Sequence, residues 1–173
     1  MIYFYGGAFN PLTKAHQNIL DKLIKKMDIN HDKLYIGVTN HDYKTYSYDS
    51  MLRYQMIFNY MFKKYNFITY GKPLKWEVWN QYYRTYEFLK ERFPNVEHKD
   101  ICIVLGADEY QDLKDGKWEN SEKLLNEFSF KIFKRTNDIS STKVRELLNN
   151  NASWADVKRY ISKDVYQLLT KKD

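Results

Sequence analysis

Cysteine, proline and glycine are all scarce in this chain of 173 residues, which has one cysteine, three prolines and six glycines. A single cysteine excludes a disulfide framework and a cysteine-based zinc site. So few prolines and glycines exclude collagen-like and low-complexity classes. No apolar run approaches the roughly 20 residues that a membrane-spanning helix needs, and no charged and apolar leader follows Met1. These absences predict a cytoplasmic protein that has no membrane partner.

Aromatic residues, by contrast, are abundant and make up 17% of the chain. They exclude a disordered protein because they supply a large apolar surface to bury. The formal net charge of +6 is modest; it suits an anionic ligand but does not require nucleic acid. No linker or composition break interrupts the sequence, so we expect one domain over residues 1–173.

Short apolar runs alternate with longer amphipathic runs, a pattern that predicts repeated βα units and a mostly parallel sheet flanked by helices. The predicted strands are Ile2–Phe4, Lys33–Thr39, Trp76–Trp79, Ile101–Leu105 and Phe128–Phe133. The predicted helices are Thr13–Lys26, Ser50–Lys64, Tyr82–Phe93, Glu119–Glu127, Ser140–Asn149, Ser153–Ile161 and Lys163–Thr170. The sequence therefore indicates an α/β fold with a helical C-terminal end.

The first predicted strand is joined to the first predicted helix by a segment that reads GGAFNPLTKAH and ends at His16. Backbone N–H groups at a helix N-terminus attract anions, and two glycines permit close backbone approach, so this segment predicts a phosphate site. Thr13 and His16 lie three residues apart, which places both side chains on one face of the first turn. The simpler alternative is a tight turn with a capping threonine and a surface histidine.

A second segment with the same chemistry reads ISSTKVR and ends at Arg145. Its hydroxyl residues, Ser140, Ser141 and Thr142, precede apolar helical positions and form an N-cap signal. Capping does not explain Lys143 and Arg145, because the positive end of a helix disfavours cations. Since arginine can bind a phosphate through two hydrogen bonds, Arg145 predicts a second anion site.

With both segments in this order, the sequence resembles the nucleotidyltransferases that carry the H-x-G-H motif. The first segment is similar to their G-x-F-[DN]-P-x-[HT]-x-x-H signature, with Thr13 in place of the first histidine and Ala15 in place of the glycine. The second is similar to their ISSTxIR motif. The resemblance implies a Rossmann-like fold of the HUP type and the transfer of a nucleotidyl group from a nucleoside triphosphate.

Three weaker features resemble one branch of that family, the nicotinate and nicotinamide mononucleotide adenylyltransferases. Gly106-Ala107-Asp108 is similar to their GAD motif, and Trp118 matches a tryptophan that stacks on the pyridine ring. Composition alone would favour core packing for this tryptophan. Lys44 and Arg53 belong to a stretch similar to the family's K…S-x-x-R-x-x-M, in which the arginine could equally be a structural salt-bridge partner.

The resemblance assigns roles to individual residues. His16 and Thr13 would be catalytic and would contact the phosphates. The implied ATP-binding residues are Gly7, Ala8, Phe9, His16, Gly106, Asp108, Ser140, Ser141, Thr142 and Arg145. The implied mononucleotide-binding residues are Lys44, Tyr82, Thr85 and Trp118, with Tyr83 as an alternative to Tyr82. The remaining histidines, His31, His41 and His98, are expected at the surface.

The implied reaction joins ATP to nicotinate or nicotinamide mononucleotide and releases pyrophosphate. The mononucleotide phosphate would attack the α-phosphorus in line, so positioning and charge stabilisation would carry the catalysis. Mg²⁺ would arrive with ATP, since this ion keeps several waters and needs few protein ligands. A pantetheine-phosphate adenylyltransferase is the nearest alternative, and a non-catalytic nucleotide- or nucleic-acid-binding module is a more distant one. The sequence does not decide between nicotinate and nicotinamide mononucleotide as the substrate, and it does not give the oligomeric state.

Overall fold

The computed structural model describes residues 1–66, 68–69, 72–134 and 139–171 and contains a five-stranded parallel sheet. The strands are β1 (Ile2–Gly7), β2 (Lys33–Thr39), β3 (Ile68–Thr69), β4 (Lys72–Pro73), β5 (Lys75–Gln81), β6 (Ile101–Gly106) and β7 (Ser129–Phe133). The order across the main sheet is β5-β2-β1-β6-β7, and β3 pairs with β4 in a separate antiparallel ribbon. The parallel sheet flanked by helices confirms the predicted fold class.

Helices cover both faces of this sheet. They are α1 (Lys14–Lys26), α2 (Ser50–Tyr65), α3 (Thr85–Arg92), α4 (Ala107–Lys114), α5 (Ser121–Glu127), α6 (Ser141–Asn149), α7 (Trp154–Val157) and α8 (Lys163–Thr170). A short 3₁₀ helix, His98–Asp100, precedes β6. Within the described ranges, no helix has the length and apolar character needed to cross a membrane.

The sheet divides the hydrophobic interior into two cores. The first core lies against α1, α2, α6 and α8 and includes Leu20, Ile36, Met56, Val144 and Val165. The second core lies on the opposite face, against α3 and α5, and includes Phe4, Phe88, Leu89, Ile103 and Leu124. Successive strand residues face alternate cores, as the pleat of a β-strand requires.

Cys102, the single cysteine of the chain, is buried in β6. Burial raises the pKa of its thiol to about 11. The group therefore stays protonated near neutral pH and lacks the thiolate that a nucleophile needs.

The strand order reverses between β1 and β6, and this reversal sets the place of the site. β1 pairs with β2 on one side and with β6 on the other. The chain leaves these neighbouring strands in opposite directions, so a crevice opens beyond their carboxyl ends. Open α/β sheets bind ligands at such a reversal. Both strands end in glycine, at Gly7 and at Gly106.

Several boundaries differ from the sequence prediction, with local physical reasons. β1 continues through Gly6 and Gly7, because their backbone groups pair with Gly37 and Val38 of β2. The glycine pair therefore belongs to the strand and not to the turn after it. The helix predicted over Ser153–Ile161 is observed only as α7.

Helix α4 was not predicted at all. It has only one buried residue, Leu113, so the sequence carries little amphipathic signal over this helix. The helix predicted from Glu119 begins two residues later, at Ser121, after Asn120 in a left-handed conformation.

Candidate active site

Three cavities open at the carboxyl edge of the sheet. Cavity A has a volume of about 300 Å³ and lies on the first-core side, against Tyr5 and Phe133. Cavity B has a volume of about 360 Å³ and lies on the second-core side, against Phe4. A third cavity of about 320 Å³, the junction, runs over Gly6 and Gly7. The arrangement offers two ligand sites on opposite sides of β1 with a shared boundary.

The structure brings together the residues expected to bind ATP. Cavity A is lined by Thr13, His16, Gly106, Asp108, Ser140, Ser141 and Thr142. The junction is lined by Gly7, Ala8, Phe9, His16 and Arg145. The two segments singled out in the sequence are therefore neighbours in space, although about 125 residues separate them in the chain.

His16 borders both cavity A and the junction, and Thr13 fixes its orientation. The Thr13 backbone N–H donates to His16 Nδ1 over 3.0 Å, and Thr13 Oγ1 lies 3.1 Å from the same nitrogen. Because the N–H group can only donate, Nδ1 acts as an acceptor, and the neutral ring carries its proton on Nε2. The Phe9 ring meets the imidazole edge-on at 5.2 Å and restrains it further.

Thr13 itself is only 1% exposed. Thr13 lines cavity A, but its Oγ1 atom lies next to His16 Nδ1, so the expected contact of this hydroxyl with a phosphate stays a prediction. Thr13 is the N-cap residue of α1, and the reciprocal Thr13–His16 contacts form a capping box. Within the site, Thr13 orients His16.

The N-terminus of α6 is fastened to the segment that follows β1. Arg145 donates to the Asn10 carbonyl over 2.7 Å and to Thr142 Oγ1 over 3.1 Å. Ser141 Oγ donates to the Pro11 carbonyl over 3.1 Å. These contacts hold the helix N-terminus and the Arg145 guanidinium beside the glycines of β1.

Arg53 is only 1% exposed and is hydrogen-bonded to three segments around the junction. Its guanidinium donates to the carbonyls of Ala8, Thr39 and Tyr48 over 3.1, 2.7 and 2.9 Å, respectively. It also donates to Asn40 Oδ1 over 2.6 Å. The salt-bridge alternative is wrong, since no ion pair found within the described ranges includes Arg53. Arg53 therefore links the three backbone segments that contain Ala8, Thr39 and Tyr48.

Cavity B contains three of the four residues expected to bind the mononucleotide, namely Lys44, Thr85 and Trp118. Trp118 is half-buried and also packs against the second core, so its cavity-facing and core-packing roles coexist. Lys44 borders the junction as well, at the boundary between the two ligand sites.

Tyr82 is the expected site residue that the structure does not bring to a cavity. It is 64% exposed and does not line cavity B, and the alternative residue Tyr83 is exposed too. The prediction for Tyr82 is corrected for a local reason. β5 continues to Gln81 and α3 begins only at Thr85, so Tyr82 and Tyr83 lie in the connecting turn, where both side chains are exposed.

His41, which the sequence analysis expected at the surface, is half-buried and lines cavity B. Its ring stacks on Tyr43 at 5.1 Å. Burial lowers the pKa of His41, and the positive charges of Lys44 and Arg84 lower it further. The rim of cavity B is thus rich in basic groups, among them Lys117.

Sequence reasoning missed other residues at the site. Asn18 and Lys22 of α1 line cavity A together with Ala15, at the i, i+3 and i+7 positions of one helix face. Lys134 approaches the same cavity from the end of β7. Glu109 borders all three cavities and follows directly after the GAD motif. The helical spacing from Ala15 could have revealed Asn18 and Lys22, but nothing in the sequence signals Glu109.

A family model described as cytidylyltransferase-like matches residues 4–147. The chain belongs to this family. The match includes both segments that the sequence analysis singled out, so the resemblance to nucleotidyltransferases is confirmed.

Curated relatives of this family cover most of the chain. A probable nicotinate-nucleotide adenylyltransferase of Acholeplasma laidlawii is 27% identical over 187 residues, which cover 93% of this chain and 94% of the relative. One from Staphylococcus haemolyticus is 30% identical over 154 residues, with coverage of 84% and 72%, respectively.

Solved structures share the fold. The Plasmodium falciparum nicotinic acid mononucleotide adenylyltransferase complexed with NaAD aligns with a TM-score of 0.68 at 22% identity over 98% of this chain and 94% of that chain. A Vibrio parahaemolyticus structure described as a putative nicotinate-nucleotide adenylyltransferase also has a TM-score of 0.68, at 19% identity, with coverage of 97% and 90%, respectively. These matches confirm the Rossmann-like nucleotidyltransferase fold of the family.

Proposed function

We propose that this protein transfers the adenylyl group of ATP to nicotinate mononucleotide, forming the dinucleotide and pyrophosphate in the cytoplasm. The observation that carries the proposal is the pair of cavities that meet over Gly6 and Gly7. One cavity has the chemistry of a phosphate cradle, and the other has an aromatic wall with a basic rim. The names of the curated relatives support the same reaction.

ATP occupies cavity A in this proposal and extends its phosphates into the junction. The backbone N–H groups of Ser141 and Thr142 at the α6 N-terminus and the Arg145 guanidinium hold the terminal phosphates. His16 donates from Nε2 to the α-phosphate, where negative charge develops as the bond to pyrophosphate breaks. Thr13 keeps the imidazole in the required tautomer and orientation. No protein nucleophile takes part, because the mononucleotide phosphate attacks the α-phosphorus directly.

The mononucleotide occupies cavity B, with its phosphate near Lys44 and its ring against Trp118. The N-terminus of α3 begins at Thr85 and has no side-chain cap within the described ranges. Its first N–H groups therefore suit a carboxylate. Together with the basic rim, this favours nicotinate over nicotinamide mononucleotide.

The residues around the junction fit a magnesium ion that arrives on ATP. No cluster of three or more histidine, cysteine or acidic side chains forms in the part of the chain that the structure describes. Phosphate oxygens and water would supply most of the ligands, as Mg²⁺ prefers. Glu109, which borders all three cavities, suits a contact to a water of the ion. Bound Mg²⁺ would neutralise charge on the departing pyrophosphate.

A substrate panel tests the reaction. The protein is incubated with Mg²⁺-ATP and, in turn, nicotinate mononucleotide, nicotinamide mononucleotide or phosphopantetheine, and pyrophosphate release is measured. We expect the highest kcat/KM with nicotinate mononucleotide. Turnover of phosphopantetheine alone would favour the pantetheine-phosphate adenylyltransferase alternative, and no turnover with any acceptor would favour a binding module.

Replacing Arg145 by alanine should raise KM for ATP, and for pyrophosphate in the reverse direction, by about 10- to 100-fold, since hydrogen bonds to charged groups contribute about 1.5–3 kcal/mol. Binding of the mononucleotide should change little. Calorimetric titration of each ligand provides the measurement. Arg159→Ala is the matched control, because it removes the same charge from a residue that lines none of the three cavities. An equal loss of affinity for ATP and for the mononucleotide would contradict the placement of ATP.

Replacing Trp118 by alanine should raise KM for the mononucleotide about tenfold and leave KM for ATP nearly unchanged. Aromatic stacking adds about 0.5–1.5 kcal/mol beyond area burial. Trp118→Phe, which keeps a ring, should retain most of the affinity. Steady-state kinetics and thermal unfolding are measured together. A large fall in Tm with an unaltered mononucleotide KM would leave Trp118 with a core role only.

A further inference from the structure

Gln81 is the last residue of β5 and is completely buried at the floor of cavity B. Its Nε2 group donates to the Tyr83 carbonyl over 3.0 Å and to Thr85 Oγ1 over 3.4 Å. One acceptor belongs to the turn after β5, and the other belongs to the first residue of α3. A single amide therefore connects the strand end to the helix N-terminus that borders the cavity.

Two glycines make room for this amide. Gly6 of β1 and Gly37 of β2 are paired across the sheet. A Cβ atom at Gly37 would lie 2.8 Å from Gln81 Oε1, and one at Gly6 would lie 3.3 Å from it. The first distance is too short for two non-bonded atoms, so a side chain at Gly37 would displace the amide. The Phe4 ring lies equally close, 2.8 Å from a Cβ atom at Gly37 and 3.1 Å from one at Gly6, so the two glycines make room for Gln81 and Phe4 together.

The Oε1 atom of the same amide has no hydrogen-bond partner within the described ranges. A buried acceptor without a partner is destabilising. If Gln81 contributed only to folding stability, an apolar side chain of similar length would stabilise the protein more at this position. The two donor contacts of Nε2 are what distinguishes glutamine from such a side chain. One is made to Thr85, which lines cavity B, and the other to Tyr83 in the segment that leads to it.

We propose that Gln81 is a positioning residue for the mononucleotide site. Because it is buried, it acts through Tyr83 and Thr85: it fixes the turn at residues 82–84 and so sets where Arg84 and the α3 N-terminus stand. This proposal rests on the assignment of the mononucleotide to cavity B. It adds a specificity determinant that lies outside the two phosphate-binding segments.

The test uses Gln81→Met, which keeps the length of the side chain and removes both its donors and its unpaired acceptor. We expect KM for nicotinate mononucleotide to rise about tenfold, because the segment released from Gln81 must be ordered again when the mononucleotide binds. The values of kcat and of KM for ATP should stay within about twofold of the parent, since cavity A has no contact with this amide. The Tm should be unchanged or higher. Gln111→Met on the exposed face of α4 is the matched control.

Gln81→Glu supplies a readout that a purely structural role would not move. The ionised carboxylate cannot donate to the Tyr83 carbonyl, whereas the protonated acid can. The ratio of its mononucleotide KM to that of the parent should therefore fall as the pH is lowered. Titration of the mononucleotide alone, followed by tryptophan fluorescence, gives the same comparison without turnover.

The outcomes separate this proposal from the proposed function. An active parent protein together with an unchanged mononucleotide KM in Gln81→Met would overturn the role of Gln81 alone. A lowered Tm together with equal increases in KM for the mononucleotide and for ATP would show that Gln81 has a structural role only. That result would also overturn the proposal. A parent protein that neither binds nor adenylates the mononucleotide would overturn both.

Discussion

Replacing His16 by alanine is expected to lower kcat by about 100- to 1000-fold, the usual effect of removing one preorganised donor from a developing oxyanion. Because the Thr13 N–H group donates to His16 Nδ1, the proton of the neutral imidazole lies on Nε2, the atom that the proposed reaction directs at the α-phosphate. Initial rates of pyrophosphate release at saturating substrates provide the measurement.

The fold should survive this substitution. His16 contributes a capping-box contact to α1, and losing it should cost less than about 2 kcal/mol of unfolding free energy. His31→Ala is the control, because that imidazole is exposed and bonded only to Asp28 among the residues described. Near-normal turnover by His16→Ala would remove the histidine from the catalytic assignment.

Replacing Arg53 by methionine is expected to lower the free energy of unfolding by at least about 3 kcal/mol. The substitution leaves three backbone carbonyls around the junction without their donor, and each buried unpaired group costs about 1–3 kcal/mol. It also removes the guanidinium that stacks over the Tyr46 ring at 4.0 Å. Urea unfolding followed by circular dichroism gives the measurement.

Arg92→Met is the matched control for this substitution. The Arg92 guanidinium lies over the Trp79 ring at 4.5 Å on an exposed part of α3, so its loss should cost about 1 kcal/mol or less. Equal destabilisation by the two substitutions would show that the hydrogen bonds of Arg53 contribute little.

The two segments that we propose to bind phosphate were predictable from the sequence because their chemistry is local. GGAFNPLTKAH and ISSTKVR each combine a helix N-terminus with groups that bind anions, and both border cavity A and the junction. The strands followed from apolar runs bounded by polar residues, and the C-terminal helices from their amphipathic spacing.

The features that escaped prediction depend on contacts between distant segments. The sequence suggested a salt bridge as the structural role of Arg53, because it does not show the carbonyl partners of the guanidinium, one of them 45 residues away. Gln81 belongs to no recognised motif, because the positioning role proposed for it depends on the space over Gly6 and Gly37. Tyr82 was misplaced because the length of β5 decides which side chain of the following turn faces the cavity.

Cavities A and B lie on opposite faces of the sheet and are joined over the β1 glycines by the junction. With the substrates placed as proposed, neither has to pass through the other's site to reach its own. Each can dissociate while its partner stays bound, which is the geometric condition for a random-order kinetic mechanism. Initial-rate patterns should then intersect for both substrates, and neither substrate should act as an obligatory first ligand.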